Sequence, residues 1–130
     1  IVVGVADDTG KQTLFSLEER LELLQTQVKG FDNVKAKAFS GLLVDFVKKE
    51  NSCVIVRGIR AISDFEYEFQ MSLMNKKLSP DLETVFLMTS SKYLFLSSKI
   101  LKQVSALEGC VEDLVPDDVA HALFRKYRRF

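Results

Sequence analysis

The sequence is short of several things that would narrow its function at once. Its 130 residues contain two cysteines, Cys53 and Cys110, far apart and in no CxxC or other metal-ligand spacing. Structural zinc is therefore not expected, and reduced thiols in a cytoplasmic protein are the plain reading. There is one histidine, His121, far along the chain, so a Ser/His/Asp or Cys/His triad is not expected and a surface position is. Lys plus Arg and Asp plus Glu number 18 each, a formal charge of zero. That balance argues against a general nucleic-acid binder and confines any anion site to a local cluster. No apolar run approaches the roughly 18 residues of a membrane span, and no signal-peptide pattern is visible. Linkers, low-complexity tracts and internal repeats are missing too. What is there is 47% hydrophobic and 28% charged residues, the mix of a globular protein with a real core. The expectation is a single domain over residues 1–130.

Residues 1–6 (IVVGVA) form a β-branched run of the kind that fits a strand buried on both faces. A polar loop with Gly10 and Lys11 follows. Ser16-Leu17-Glu18-Glu19 is a capping box, with Leu21, Leu23, Leu24 and Val28 as the apolar stripe behind it and Gly30 as a stop. The scheme repeats: a strand over 34–39 and a helix over 42–49, then a buried strand over 53–56 broken by Arg57-Gly58. A long helix over 63–78, opened by Ser63 and Asp64, carries Phe65, Tyr67, Phe69, Met71, Leu73 and Met74 on more than one face. That surplus implies burial by the sheet on one side and by a second subunit on the other. A strand over 85–88, a helix over 97–107 broken by Gly109, and a helix led by Pro116 complete the chain. Strands alternating with helices define an α/β fold, a doubly wound parallel sheet of Rossmann-like type.

Ligands of such sheets bind beyond the carboxyl ends of the strands. Lys11 lies in the loop after the first strand, Arg57 and Arg60 bracket Gly58 after CVIV, and Ser97-Ser98 open a helix whose free N–H groups favour an anion. Singly, each has a plain explanation: a solvated lysine, an arginine paired with Asp64 or Glu66, a helix cap. Jointly, on one sheet edge, they predict a polyphosphate site, for which the arginine fork is well suited. Asp64, Glu66 and Glu68 are explained by a dipole-friendly helix start more simply than by a metal.

The run VIVRGIRAISDFEYEFQMSLMNKKLSPDLETVFLM (54–88), with GKQTLFSLEER (10–20) and KYLFLSSKILKQV (92–104), resembles the phosphopantetheine adenylyltransferases of bacterial coenzyme A synthesis. The likeness covers nearly the whole chain, and the RGIR…DFEYE combination is long and specific. It implies transfer of the adenylyl group of ATP to 4′-phosphopantetheine, giving dephospho-coenzyme A and pyrophosphate, with Mg²⁺, in a cytoplasmic homohexamer for which coenzyme A is a candidate inhibitor. It assigns Lys11 and Arg60 to catalysis and Lys11, Leu43 and Arg57 to phosphopantetheine. Gly58, Ile59, Arg60 and Glu68 fall to ATP, as do Tyr93, Leu94, Phe95, Leu96, Ser97, Ser98 and Lys99.

Two departures stand out. A third serine is common in the family where this chain has Lys99. The family also opens with a strand and a Gly-His pair whose histidine stabilises the transition state, and these residues hold no such pair. The expectation is that the sequence is incomplete at its N-terminus and lacks the central strand of a 3-2-1-4-5 sheet, leaving a slot there. The alternatives are a related nucleotidyltransferase with another phosphorylated substrate and a non-catalytic nucleotide- or coenzyme A-binding fragment.

Overall fold

The computed structural model describes residues 1–7, 10 and 12–127, the Ser63 side chain excepted. The order is β1 (Val2–Ala6), α1 (Leu17–Val28), β2 (Lys35–Phe39), α2 (Leu43–Lys49), β3 (Val54–Ile59), α3 (Ile62–Leu78), β4 (Glu83–Met88), a 3₁₀ turn at Ser91–Tyr93, α4 (Ser98–Ala106) and α5 (Asp117–Tyr127). Among the described residues the strands form two parallel pairs: β1 with β2, and β3 with β4. The expected alternation of strand and helix and the parallel pairing both hold. The chain divides into two compact units, Ile1–Phe39 with Leu96–Phe130, and Ser40–Phe95.

In the first unit, α1 starts where its sequence says. The Ser16 hydroxyl accepts from Glu19 N–H at 3.2 Å, and Ser16 N–H donates to the Glu19 carboxylate at 2.8 Å. Lys126 of α5 reaches the other oxygen of that carboxylate at 2.7 Å. These bonds hold the Glu19 carboxyl below the usual glutamate range, Lys126 contributing most and the Ser16 N–H next. The core centres on Val111, Ala120 and Leu123, with Leu14, Phe15, Leu101 and Val104 packed around them. The turn after α4 puts Glu108 in the left-handed region (φ 61°). Gly109 serves close approach instead, since a Cβ there would lie 2.6 Å from the Val104 side chain.

In the second unit the sequence expectation needs three corrections. β3 does not break at Arg57-Gly58: its register with β4 runs unbroken to Ile59 opposite Met88, so Arg57, Gly58 and Ile59 are strand residues. β3 is also not buried on both faces. Ile55 and Ile59 are buried, while Val54 and Val56 on the opposite face are exposed, because successive side chains alternate and only one face is covered within this unit. β1 likewise alternates between exposed and half-buried positions. Third, α3 begins at Ile62 behind Ala61, with no side-chain cap; the expected Ser63 cap lies outside the described residues. Phe65 of α3 stacks on Phe69 and meets Phe86 of β4 edge-on. Val44, Val47, Ile55 and Leu82 form the small core beneath.

Candidate active site

Along β3 the period of two places Arg57 on the same face as Ile55 and Ile59, the covered one. Its guanidinium therefore emerges beneath α3, where Glu68 receives it as a fork. Arg57 Nε donates at 2.7 Å and Nη2 at 2.6 Å to the two carboxylate oxygens. One turn earlier on α3, Asp64 takes Arg60 in the same way, at 2.8 and 3.3 Å. The hydrogen bond to Glu68 raises the Arg57 pKa above its usual value, and Arg60 in turn holds the Asp64 carboxyl low. Arginine–carboxylate pairing is thus what the structure shows for both, with Glu68 rather than Asp64 or Glu66 as the partner of Arg57. The pair uses only part of the Arg57 fork, and the side chain is 45% exposed against 15% for Glu68. Arg57 is therefore an oriented cation with donors to spare.

Beside this pair is a cavity of about 100 Å³. Leu43, Ile55 and Met71 give it an apolar wall, and Arg57, Glu68, Ser72, Asn75 and Thr84 its polar groups, with Tyr67 at the side. The structure brings together three residues singled out from the sequence, Leu43, Arg57 and Glu68. It also adds Tyr67, Met71, Ser72 and Asn75, which sequence reasoning left in the apolar surface of α3 or passed over. A signal was available. Asp64, Glu68, Ser72 and Asn75 follow one another at helical spacing and make the covered stripe of α3, while Tyr67, Leu73, Met74 and Leu78 are exposed. An ordinary surface helix does the reverse. A polar covered stripe marks a surface kept for a ligand.

The remaining candidates distribute as follows. Gly58 has open space where a Cβ would be. Ile59 is 2% exposed and packs as core. Tyr93, Leu94 and Phe95, at the end of this unit, are exposed apolar side chains. Leu96, Ser97, Ser98 and Lys99 belong to the other unit, where the Ser97 hydroxyl caps α4 by accepting from Ile100 N–H at 3.1 Å. Lys11 lies outside the described residues. His121 is exposed, and Cys53 and Cys110 are free and exposed. Among the described residues no helix is long and apolar enough to cross a membrane.

A parallel α/β chain in which a helix carboxylate orients a strand arginine at a small cavity has the marks of a nucleotidyltransferase. Residues 1–104 match the cytidylyltransferase-like family. The phosphopantetheine adenylyltransferase of Moorella thermoacetica is 59% identical over 98% of this chain and 79% of its own length. That of Clostridium tetani is 53% identical (97% and 79%), and that of Dictyoglomus thermophilum 54% (98% and 77%). This chain belongs to the phosphopantetheine adenylyltransferase family, with its Rossmann-like nucleotidyltransferase fold.

Proposed function

We propose that this chain transfers the adenylyl group of ATP to 4′-phosphopantetheine, the cavity under α3 being the phosphopantetheine end of the site. The observation that carries the placement is the convergence of Leu43, Arg57 and Glu68 on one cavity. An apolar wall ending in a fixed guanidinium suits a ligand with a flexible organic arm and a phosphate head. Glu68 then acts as the group that aims Arg57, in place of the direct nucleotide contact the resemblance assigns to it.

The chemistry is in-line attack by the phosphopantetheine phosphate on the α-phosphorus of ATP. The new P–O bond forms as the bond to the departing pyrophosphate breaks, and the substrate brings its own nucleophile. What the protein contributes is position and charge. Arg57 holds one anion, and Lys11 and Arg60 offset the repulsion between the two and the charge growing on pyrophosphate. Gly58, with no Cβ, allows close approach of the nucleotide, and Ile59 fixes that backbone from the core. The exposed Tyr93, Leu94 and Phe95 offer apolar cover to the adenosine, and Leu96, Ser97, Ser98 and Lys99 are given to ATP by the family resemblance alone. No cluster of three or more His, Cys, Asp or Glu side chains among the described residues is placed to hold a metal. Mg²⁺ enters with ATP as part of the substrate, since a hard cation carried on phosphates needs no protein cage. The exposed apolar face of α3 supports self-association, in the reading a homohexamer in the cytoplasm, and coenzyme A, which contains the product, is the expected inhibitor.

The deciding experiment measures pyrophosphate release from ATP with 4′-phosphopantetheine, glycerol phosphate or a mononucleotide as acceptor, alongside calorimetry with ATP and coenzyme A. Release with 4′-phosphopantetheine alone is expected. Release with another acceptor would move the chain to a sister activity, and binding without release would make it a binding module.

A further inference from the structure

One side chain joins the two ends of the loop before α1. Arg20, near the start of α1, sends its Nη1 to the Ala6 carbonyl at 2.9 Å and its Nε to the Ser16 carbonyl at 3.3 Å. Ala6 is the last residue of β1, and Ser16 is the N-cap of α1. The chain between these anchors is residues 7–15, with Lys11 at its middle by sequence. Both anchors and Arg20 belong to the same unit.

The strand and the helix each have their own main-chain bonds at this point. Asp7 N–H extends the β1–β2 ladder by donating to the Phe39 carbonyl at 2.8 Å. The Ser16 carbonyl takes the first bond of α1 from Arg20 N–H at 3.0 Å, and the capping box fixes the helix start. What the guanidinium adds is a fixed relation between strand end and helix start. Its nitrogens lie in one rigid plane and donate in separate directions, so meeting both carbonyls sets the spacing and the angle of the two anchors together. A charged donor makes such bonds stronger than neutral ones, and the bond to Ala6 is partly buried, where salt screens it less. Arg57 and Arg60 direct their forks to carboxylates; Arg20 directs two of its nitrogens to main chain. A segment held at both ends samples fewer conformations than one held at a single end. That matters for a lysine, whose long flexible stem places its ammonium only as well as its backbone is placed.

We propose that Arg20 is a positioning residue for adenylyl transfer: it clamps the end of β1 to the start of α1 and so holds the backbone of the loop that presents Lys11 to the reacting phosphates. This rests on the reading above that gives Lys11 that role, while the clamp is carried by Ala6, Ser16 and Arg20 themselves.

Two measurements test it, on Arg20→Met, which keeps the stem and removes the donors, and on Arg20→Lys. The first is limited trypsin cleavage after Lys11, followed by mass. Cleavage there should rise about tenfold in Arg20→Met, as local opening of the loop becomes easier, while cleavage after Lys29 at the far end of α1 stays as in wild type. The second is a double-mutant cycle with Lys11→Ala, read as kcat/KM for pyrophosphate release from ATP and 4′-phosphopantetheine. Arg20→Met should lower kcat/KM about tenfold when Lys11 is present and by less than about twofold when it is alanine, because a residue acting through Lys11 has nothing left to act on. Arg20→Lys, with a single nitrogen in place of the fork, should lose about threefold. A merely structural role would instead give the same loss in both backgrounds, and that result overturns the proposal, as does unchanged cleavage after Lys11 in Arg20→Met. Full turnover in Lys11→Ala would count against the role given to Lys11 above, and with it against positioning by Arg20, while cleavage that still rises would leave the clamp standing.

Discussion

α5 and α3 are built on opposite plans. α5 buries Ala120, Ala122 and Leu123 and turns His121 and Arg125 to solvent, as an amphipathic helix at a core does. α3 covers Asp64, Glu68, Ser72 and Asn75 and exposes Tyr67, Leu73, Met74 and Leu78. The first arrangement gains its stability locally, by removing apolar area from water. The second leaves apolar area unburied and places the polar stripe where α3 covers β3. A helix that puts its carboxylates inward has been shaped by what they hold, and here they hold two arginines. The comparison separates a helix whose covered face is structural from one whose covered face lines a site.

Substitutions on the two helices should behave accordingly. Leu123→Ala should cost about 3 kcal/mol of unfolding free energy, from lost burial and the cavity left behind. Leu73→Ala on the exposed face of α3 should leave the urea midpoint of the isolated chain within about 0.5 kcal/mol, and weaken self-association in sedimentation instead. Equal destabilisation by both would erase the contrast. Arg57→Ala should lower kcat/KM for adenylyl transfer by about a hundredfold. Glu68→Gln should raise KM for phosphopantetheine by a smaller factor with kcat nearly kept, since it loosens the guanidinium without removing it. Ser16→Ala should cost about 1 kcal/mol by removing the α1 cap, with no change in substrate KM. The smallest effect is on pH dependence. Because the folded Glu19 pKa is lowered, its contribution is present above the unfolded value and lost as pH falls through the folded one. Lys126→Ala removes the main cause of that shift, so stability should fall less steeply on acidification below the ordinary glutamate value of 4.5.

How far the sequence alone could go follows the range of each interaction. The α1 capping box and the Ser97 cap of α4 are three-residue devices, readable directly. β1 was legible from its β-branched run and β2 from its partial alternation, but the end of β3 was not. Arg57-Gly58 has the composition of a turn, and only hydrogen bonding to β4, some thirty residues on, keeps it extended. Leu43, Arg57 and Glu68 could be named from family resemblance, yet nothing local says that Glu68 rather than Asp64 takes Arg57; that choice is made by the packing of α3 over β3. The approach of Lys102 to the Gln12 carbonyl left no trace, since the two are 90 residues apart. The polar stripe of α3 was visible at helical spacing and was outweighed by the more numerous apolar residues around it.

The placement of the three tyrosines gives the chain built-in optical reporters. There is no tryptophan to mask them. Tyr67 lines the cavity at Arg57, Tyr127 lies beside the flank of α4, and Tyr93 lies in the exposed segment after β4. Single Tyr→Phe replacements would therefore resolve ultraviolet emission into three channels, so that occupancy at each position could be followed without a dye.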